Sequence, residues 1–167
     1  MGLKLFNIFN IFNCLFTGGL DGGVSSKEVY SLEGDTWSTW KPLNPMSIAR
    51  REHSCSYRDG EVWVLGGRLT NLTQTTSVEI YNLTTGRWRA GPDLPSYTVG
   101  VRDSQAIMHD GELYVIGGEG SNGRILRLNT SANGSWEEVA TSGLKRRRQF
   151  FPSQVIQSDS CVPGNLE

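Results

Sequence analysis

A chain of 167 residues has the length of one ordinary domain. With 37% hydrophobic, 20% charged and 10% aromatic residues, it is too apolar for a disordered segment and too charged for a membrane bundle. Its formal net charge of -1 gives no overall positive field that would attract nucleic acid or acidic membranes.

Residues 1–13 form an unmatched, signal-like segment. Lys4 precedes Leu5, Phe6, Ile8, Phe9, Ile11 and Phe12, which resembles a short secretory apolar region. Asn7, Asn10 and Asn13 break the run, which is too short to span a bilayer. Cys14-Leu15-Phe16-Thr17-Gly18-Gly19 follows, then Val29-Tyr30-Ser31-Leu32 and Trp37.

The next stretch predicts strands near 53–58, 61–66, 77–82 and 87–90. Asp59-Gly60 is a hairpin signal, because glycine supplies the positive φ of a tight turn. Val62-Trp63-Val64-Leu65 is apolar at every position, as in a strand covered on both faces. Gly66-Gly67 closes it where a neighbouring backbone must crowd in. The same order returns with strands near 104–109, 112–117, 124–129 and 135–139.

The return has a fixed offset. Asp59-Gly60-Glu61-Val62-Trp63-Val64-Leu65-Gly66-Gly67 recurs as Asp110-Gly111-Glu112-Leu113-Tyr114-Val115-Ile116-Gly117-Gly118, about fifty residues on. Ser26-Lys27-Glu28-Val29-Tyr30-Ser31-Leu32 recurs in the same register as Ser77-Val78-Glu79-Ile80-Tyr81-Asn82-Leu83. Trp37, Trp88 and Trp136 stand at matching places after these segments.

These motifs resemble the kelch family. The resemblance implies an all-β chain, an incomplete kelch-type β-propeller built from four-stranded antiparallel blades. The repeats are expected over 14–157: a partial blade about 14–46, blades about 50–95 and 101–140, and a partial blade about 145–157. An unstructured tail is expected over 158–167. Gly66, Gly67, Gly117, Gly118, Tyr30, Tyr81, Trp37, Trp88 and Trp136 are the structural signature, with the large rings filling gaps between sheets. So few blades do not close a ring, which points to a truncated chain or to self-association.

The lead-in segments carry arginines at comparable places in successive repeats. Arg50, Arg51, Glu52, Arg102, Asp103, Arg147 and Arg148 are the candidate partner contacts, suited to carboxylates of a peptide or protein. The alternative is that the arginines pair with Glu52 and Asp103 or are solvated. Sequons at Asn71, Asn82, Asn129 and Asn133 are candidate glycosylation sites.

Catalysis is not expected. His53 and His109 occupy different registers and predict no shared metal, and no cofactor is implied. Cys14, Cys55 and Cys161 lack zinc spacing, and Cys55 reads as a buried thiol. The leading expectation is a protein-interaction module. A secreted glycosylated kelch protein and a fragment of a propeller enzyme are the alternatives, and secreted and cytoplasmic locations both stay open.

Overall fold

The computed structural model describes residues 4–7, 14–33, 39–98, 101–119, 121, 123–130 and 134–139. Trp37, Asn133, Arg147, Arg148 and the segments 145–157 and 158–167 lie outside the described residues. The first group of strands is β1 (Lys4–Asn7), β2 (Cys14–Thr17), a short hairpin of β3 (Leu20–Asp21) and β4 (Val24–Ser25), β5 (Val29–Glu33) and β6 (Thr39–Pro42). The second is β7 (Ser54–Arg58), β8 (Glu61–Leu65), β9 (Val78–Asn82) and β10 (Arg87–Ala90). The third is β11 (Gln105–His109), β12 (Glu112–Ile116), β13 (Ile125–Asn129) and β14 (Ser135–Glu138). Apart from the β3–β4 hairpin, each group is one four-stranded antiparallel sheet. The second and third sheets run in simple sequence order.

The first sheet also takes in Lys4–Asn7, which the repeat pattern leaves unmatched. No α-helix occurs among the described residues, and no helix there is long and apolar enough to cross a membrane.

Strand alternation sorts the core into two seams. Val62, Val64 and Tyr81 of the second sheet pack with Leu15, Val29 and Met46 of the first blade. Their pleat neighbours Trp63, Leu65, Val78 and Ile80 pack instead with Leu113, Val115, Leu126 and Leu128 of the third. This is why β8 is apolar at successive positions: side chains alternate across the sheet, and both faces are covered.

Two indoles fasten the seams. Trp88 stacks against Tyr81, with ring centroids 4.9 Å apart, and donates from Nε1 to the carbonyl of Asn44 in the preceding blade. Trp136 repeats the arrangement one blade later, donating to the carbonyl of Pro92 at 2.8 Å. In the first sheet Trp40 faces Leu32, as Trp88 faces Tyr81. Trp40 therefore holds the strand place that the sequence period gives to Trp37.

The glycine pairs lie at the same seams. A Cβ on Gly66 would stand 2.3 Å from the carbonyl oxygen of Val101, and one on Gly118 would stand 2.6 Å from that of Arg102. The Gly67 amide donates to the Val101 carbonyl and the Gly19 amide to the Arg50 carbonyl, so these two glycine pairs dock the chain entering the next blade. Two blades are joined through backbone, not side chains alone.

Candidate functional site

The glycine ends of the sheets gather the lead-in segments 50–53 and 101–104 with the loops after each Gly-Gly. Their order follows from the seam bonds. Arg51 and Arg68 exchange reciprocal backbone bonds at 2.9 and 2.7 Å, and the Glu119 amide donates to Arg102 at 2.9 Å. Glu52 and Asp103 occupy matching places with φ of 58° and 54°. The Asp103 amide donates to the Glu52 carbonyl, tying one lead-in to the next.

A polar chain crosses both seams along this rim. Arg51 donates to Ser25 Oγ at 3.2 Å, and its Nε lies 3.5 Å from Glu52. Arg102 donates to Glu52 at 2.9 Å with one nitrogen and to Glu119 with the other. The hydrogen bond it donates to Glu52 raises the Arg102 guanidinium above its ordinary range, so it stays cationic. The chain Ser25–Arg51–Glu52–Arg102–Glu119 thus links three blades.

Arg50, expected among the partner contacts, is instead sealed between blades. It is fully buried and donates to the Gly66 and Ser77 carbonyls, Ser77 Oγ and Glu79 Oε2, each within 2.9 Å. Burial lowers its guanidinium from the ordinary value, and the Glu79 carboxylate opposes that shift. Glu79 also accepts the amides of Ser47 and Ile48, so this ion pair pins the exit of the first blade to the second sheet. Asp103 is likewise buried, at 4% exposure. The physical reason is alternation along the extended lead-in: Arg50 points into the seam and Arg51 along the rim.

Of the expected contacts, Glu52 and Arg102 are brought together half-buried at the rim, with Arg51 close by and more covered. The pairing alternative is thus realised through Glu52, with Glu119 as a member the sequence reading missed. An isolated bridge between Arg68 and Gln74 bounds a loop at this rim. Leu69 and Thr73 close it by a backbone bond, and Arg68 Nε donates to the Leu72 carbonyl at 3.0 Å. Leu72 projects at its tip, 57% exposed, with φ of 69°. A leucine in the left-handed region is uncommon and costs conformational energy.

The remaining candidates are dispersed. Asn71 is exposed beside Leu72, and its Oδ1 accepts from the Thr73 hydroxyl at 2.6 Å. Asn82 is half-buried at the opposite end, accepting from the Thr85 amide. Asn129, also half-buried, donates to Glu137. His53 is buried against Thr17 Oγ1 at 2.8 Å, while His109 stands beside Asp110 at the far end of its sheet. Cys55 is a buried thiol, 3.3 Å from Thr17 Oγ1.

Four-stranded sheets of recurring order, stacked through indole- and glycine-lined seams, define a blade-repeat protein of the propeller class. A family model described as the Kelch motif matches residues 49–95. Kelch-like protein 33 of Homo sapiens is 37% identical over 87 residues, covering 52% of this chain and 16% of that protein. An F-box/kelch-repeat protein of Arabidopsis thaliana is 28% identical over 127 residues, covering 74% of this chain and 32% of the relative. Kelch repeat protein C2 of camelpox virus (strain CMS) is 28% identical over 119 residues, 69% of this chain and 22% of its own length. The chain thus carries a kelch motif and is similar to kelch-repeat proteins over as much as 74% of its length. It matches no more than a third of the length of each of these relatives.

Proposed function

We propose that the chain is a protein-binding module whose contact surface is the glycine-end rim, centred on the loop Arg68–Gln74 and flanked by Glu52, Arg102 and Glu119. The observation that carries this reading is Leu72. A large apolar side chain is held in water by a backbone conformation leucine disfavours, on a loop tied down at both ends. Rim charges of both signs around it suit a partner with a small apolar anchor and flanking polar groups. Similarity to kelch-repeat proteins supports the same reading.

Leu72→Asp tests it. The side chain is in solvent, so the melting temperature is expected to stay within about 1–2 °C of the wild type. Quantitative capture from cell extract is expected to lose the proteins held specifically by the wild-type chain. Leu83→Asp is the control, since Leu83 is exposed at the opposite end of the second sheet. Equal capture by wild type and Leu72→Asp would exclude the rim loop as the contact surface.

A second reading rests on Asn71. Its exposed amide lies in a sequon whose threonine hydroxyl already reaches it, as an accessible acceptor for glycan requires. On this reading, chain produced through the secretory route carries a glycosidase-sensitive mass that disappears in Asn71→Gln. The glycan would cover Leu72 and abolish capture by this loop. A mass that matches the bare polypeptide in such a preparation would remove this reading.

A further inference from the structure

The second and third sheets leave a cleft of about 340 Å³ between them at the Asp59-Gly60 hairpin end, opposite to the glycine-end rim. Alternation along β8 puts Glu61 on the same face as Trp63 and Leu65, which pack with Leu128 of the third sheet. Pro92 forms a further wall, fixed by the hydrogen bond from Trp136 to its carbonyl. Arg58 and Arg89 stand at the mouth, and the Arg89 guanidinium lies over the Trp63 ring, 6.0 Å from its centre.

The indole of Trp63 has no acceptor. The residue is 7% exposed, and its Nε1 is buried with no hydrogen-bond partner among the described residues. A buried donor left unpaired is costly, and native seams keep few of them. The indoles of Trp88 and Trp136 each reach a carbonyl. One repeat on, Tyr114 follows Glu112 as Trp63 follows Glu61, and there the Tyr114 hydroxyl donates to Glu112 at 2.9 Å. Glu61 is instead taken by Arg89, which donates to it from Nε at 3.3 Å and from Nη2 at 2.6 Å.

We propose that this cleft binds a carboxylate carried on a short, flat apolar stem. One carboxylate oxygen accepts the Trp63 indole hydrogen, the other pairs with Arg89, and the stem lies against Pro92 and Leu128. Side chains cover the indole nitrogen, so one of them must yield to a ligand. Arg89 is the one able to do so, because its side chain is 53% exposed. A carboxylate suits the cleft better than a neutral carbonyl, since its second oxygen meets the guanidinium in a charge-assisted hydrogen bond. The acids at the mouth do not repel it: Arg89 matches Glu61, and Arg58 matches Asp59 at 3.2 Å. A free organic acid and a peptide carboxyl terminus present the same chemistry. The site is independent of the rim loop, which lies at the other end of the sheets.

The test is a titration of the nitrogen-15-labelled chain, read at the Trp63 indole resonance after its through-bond assignment. The probes are phenylacetate, phenylacetamide, and a short peptide ending in phenylalanine with its carboxyl terminus free or amidated. A saturable shift is expected with at least one of the two carboxylates, and the pair tells a free acid from a peptide end. The amides should bind about tenfold more weakly or worse. Arg89→Gln should weaken carboxylate binding by about tenfold or more, with near-ultraviolet circular dichroism unchanged. A Trp63 resonance unmoved by both carboxylates overturns the proposal. So does equal affinity for acid and amide, or an affinity indifferent to Arg89→Gln.

Discussion

Arg50→Met will lower the unfolding free energy by about 3–5 kcal/mol, measured by urea denaturation with the slope unchanged. The side chain is fully buried, and its removal strands a carboxylate, two carbonyls and a hydroxyl inside the seam. Glu79 bears most of the penalty, since it is 7% exposed on its side chain and loses its only cation partner among the described ion pairs. Two amide bonds from Ser47 and Ile48 would remain, too few to solvate a full charge. Adding Glu79→Gln should recover part of the loss, because a neutral amide costs less to leave in the seam. Equal losses in the single and double variants would show that the arginine acts by bulk rather than by charge.

That pair also shows where sequence reading stopped. The second and third blades were legible almost strand by strand, because turn glycines, apolar runs and glycine pairs recur in one register. Predicted strands near 61–66 and 112–117 became Glu61–Leu65 and Glu112–Ile116. The arginine cluster was legible as a location, but its division between seam and rim was not. A signal was present in Glu79, a carboxylate between Val78 and Ile80 in a strand buried on both faces. Such a residue needs a cation, and the lead-in arginines are the nearest supply.

The first blade was read less well, for a reason that lies in how repeats are counted. The sequence period aligns Tyr30 with Tyr81, whereas the sheet aligns Tyr30 with Glu79. The connection after Gly19 is short and folded into the β3–β4 hairpin, so counting residues and counting from the glycine pair differ by two. A slip of two keeps every side chain on its own face, so the hydrophobic pattern does not reveal it. Leu72 left no trace in the sequence at all. Nothing in Asn71-Leu72-Thr73 foretells a left-handed leucine, which arises from backbone bonds at both ends of the loop.

Gly66→Ala and Gly60→Ala separate two uses of one residue type, and their difference is the larger test of the blade stacking. Both glycines have positive φ, 62° and 80°, so alanine is conformationally disfavoured at each by about 1–2 kcal/mol. Around Gly60 an added Cβ meets nothing within 4 Å, and its substitution should cost no more than that. At Gly66 the same atom would lie 2.3 Å from the Val101 oxygen, which also accepts the Gly67 amide. Backbone cannot rotate away as a side chain does, so the lead-in must shift and carry Val101 and the third sheet with it. Such overpacking at a seam adds about 1–3 kcal/mol, raising the total for Gly66→Ala to roughly 2–5 kcal/mol. The loss should appear as faster hydrogen exchange along both β8 and β11, since the broken contact joins two blades. Equal costs at the two glycines would mean that the sheets do not meet where Gly66 and Val101 place them.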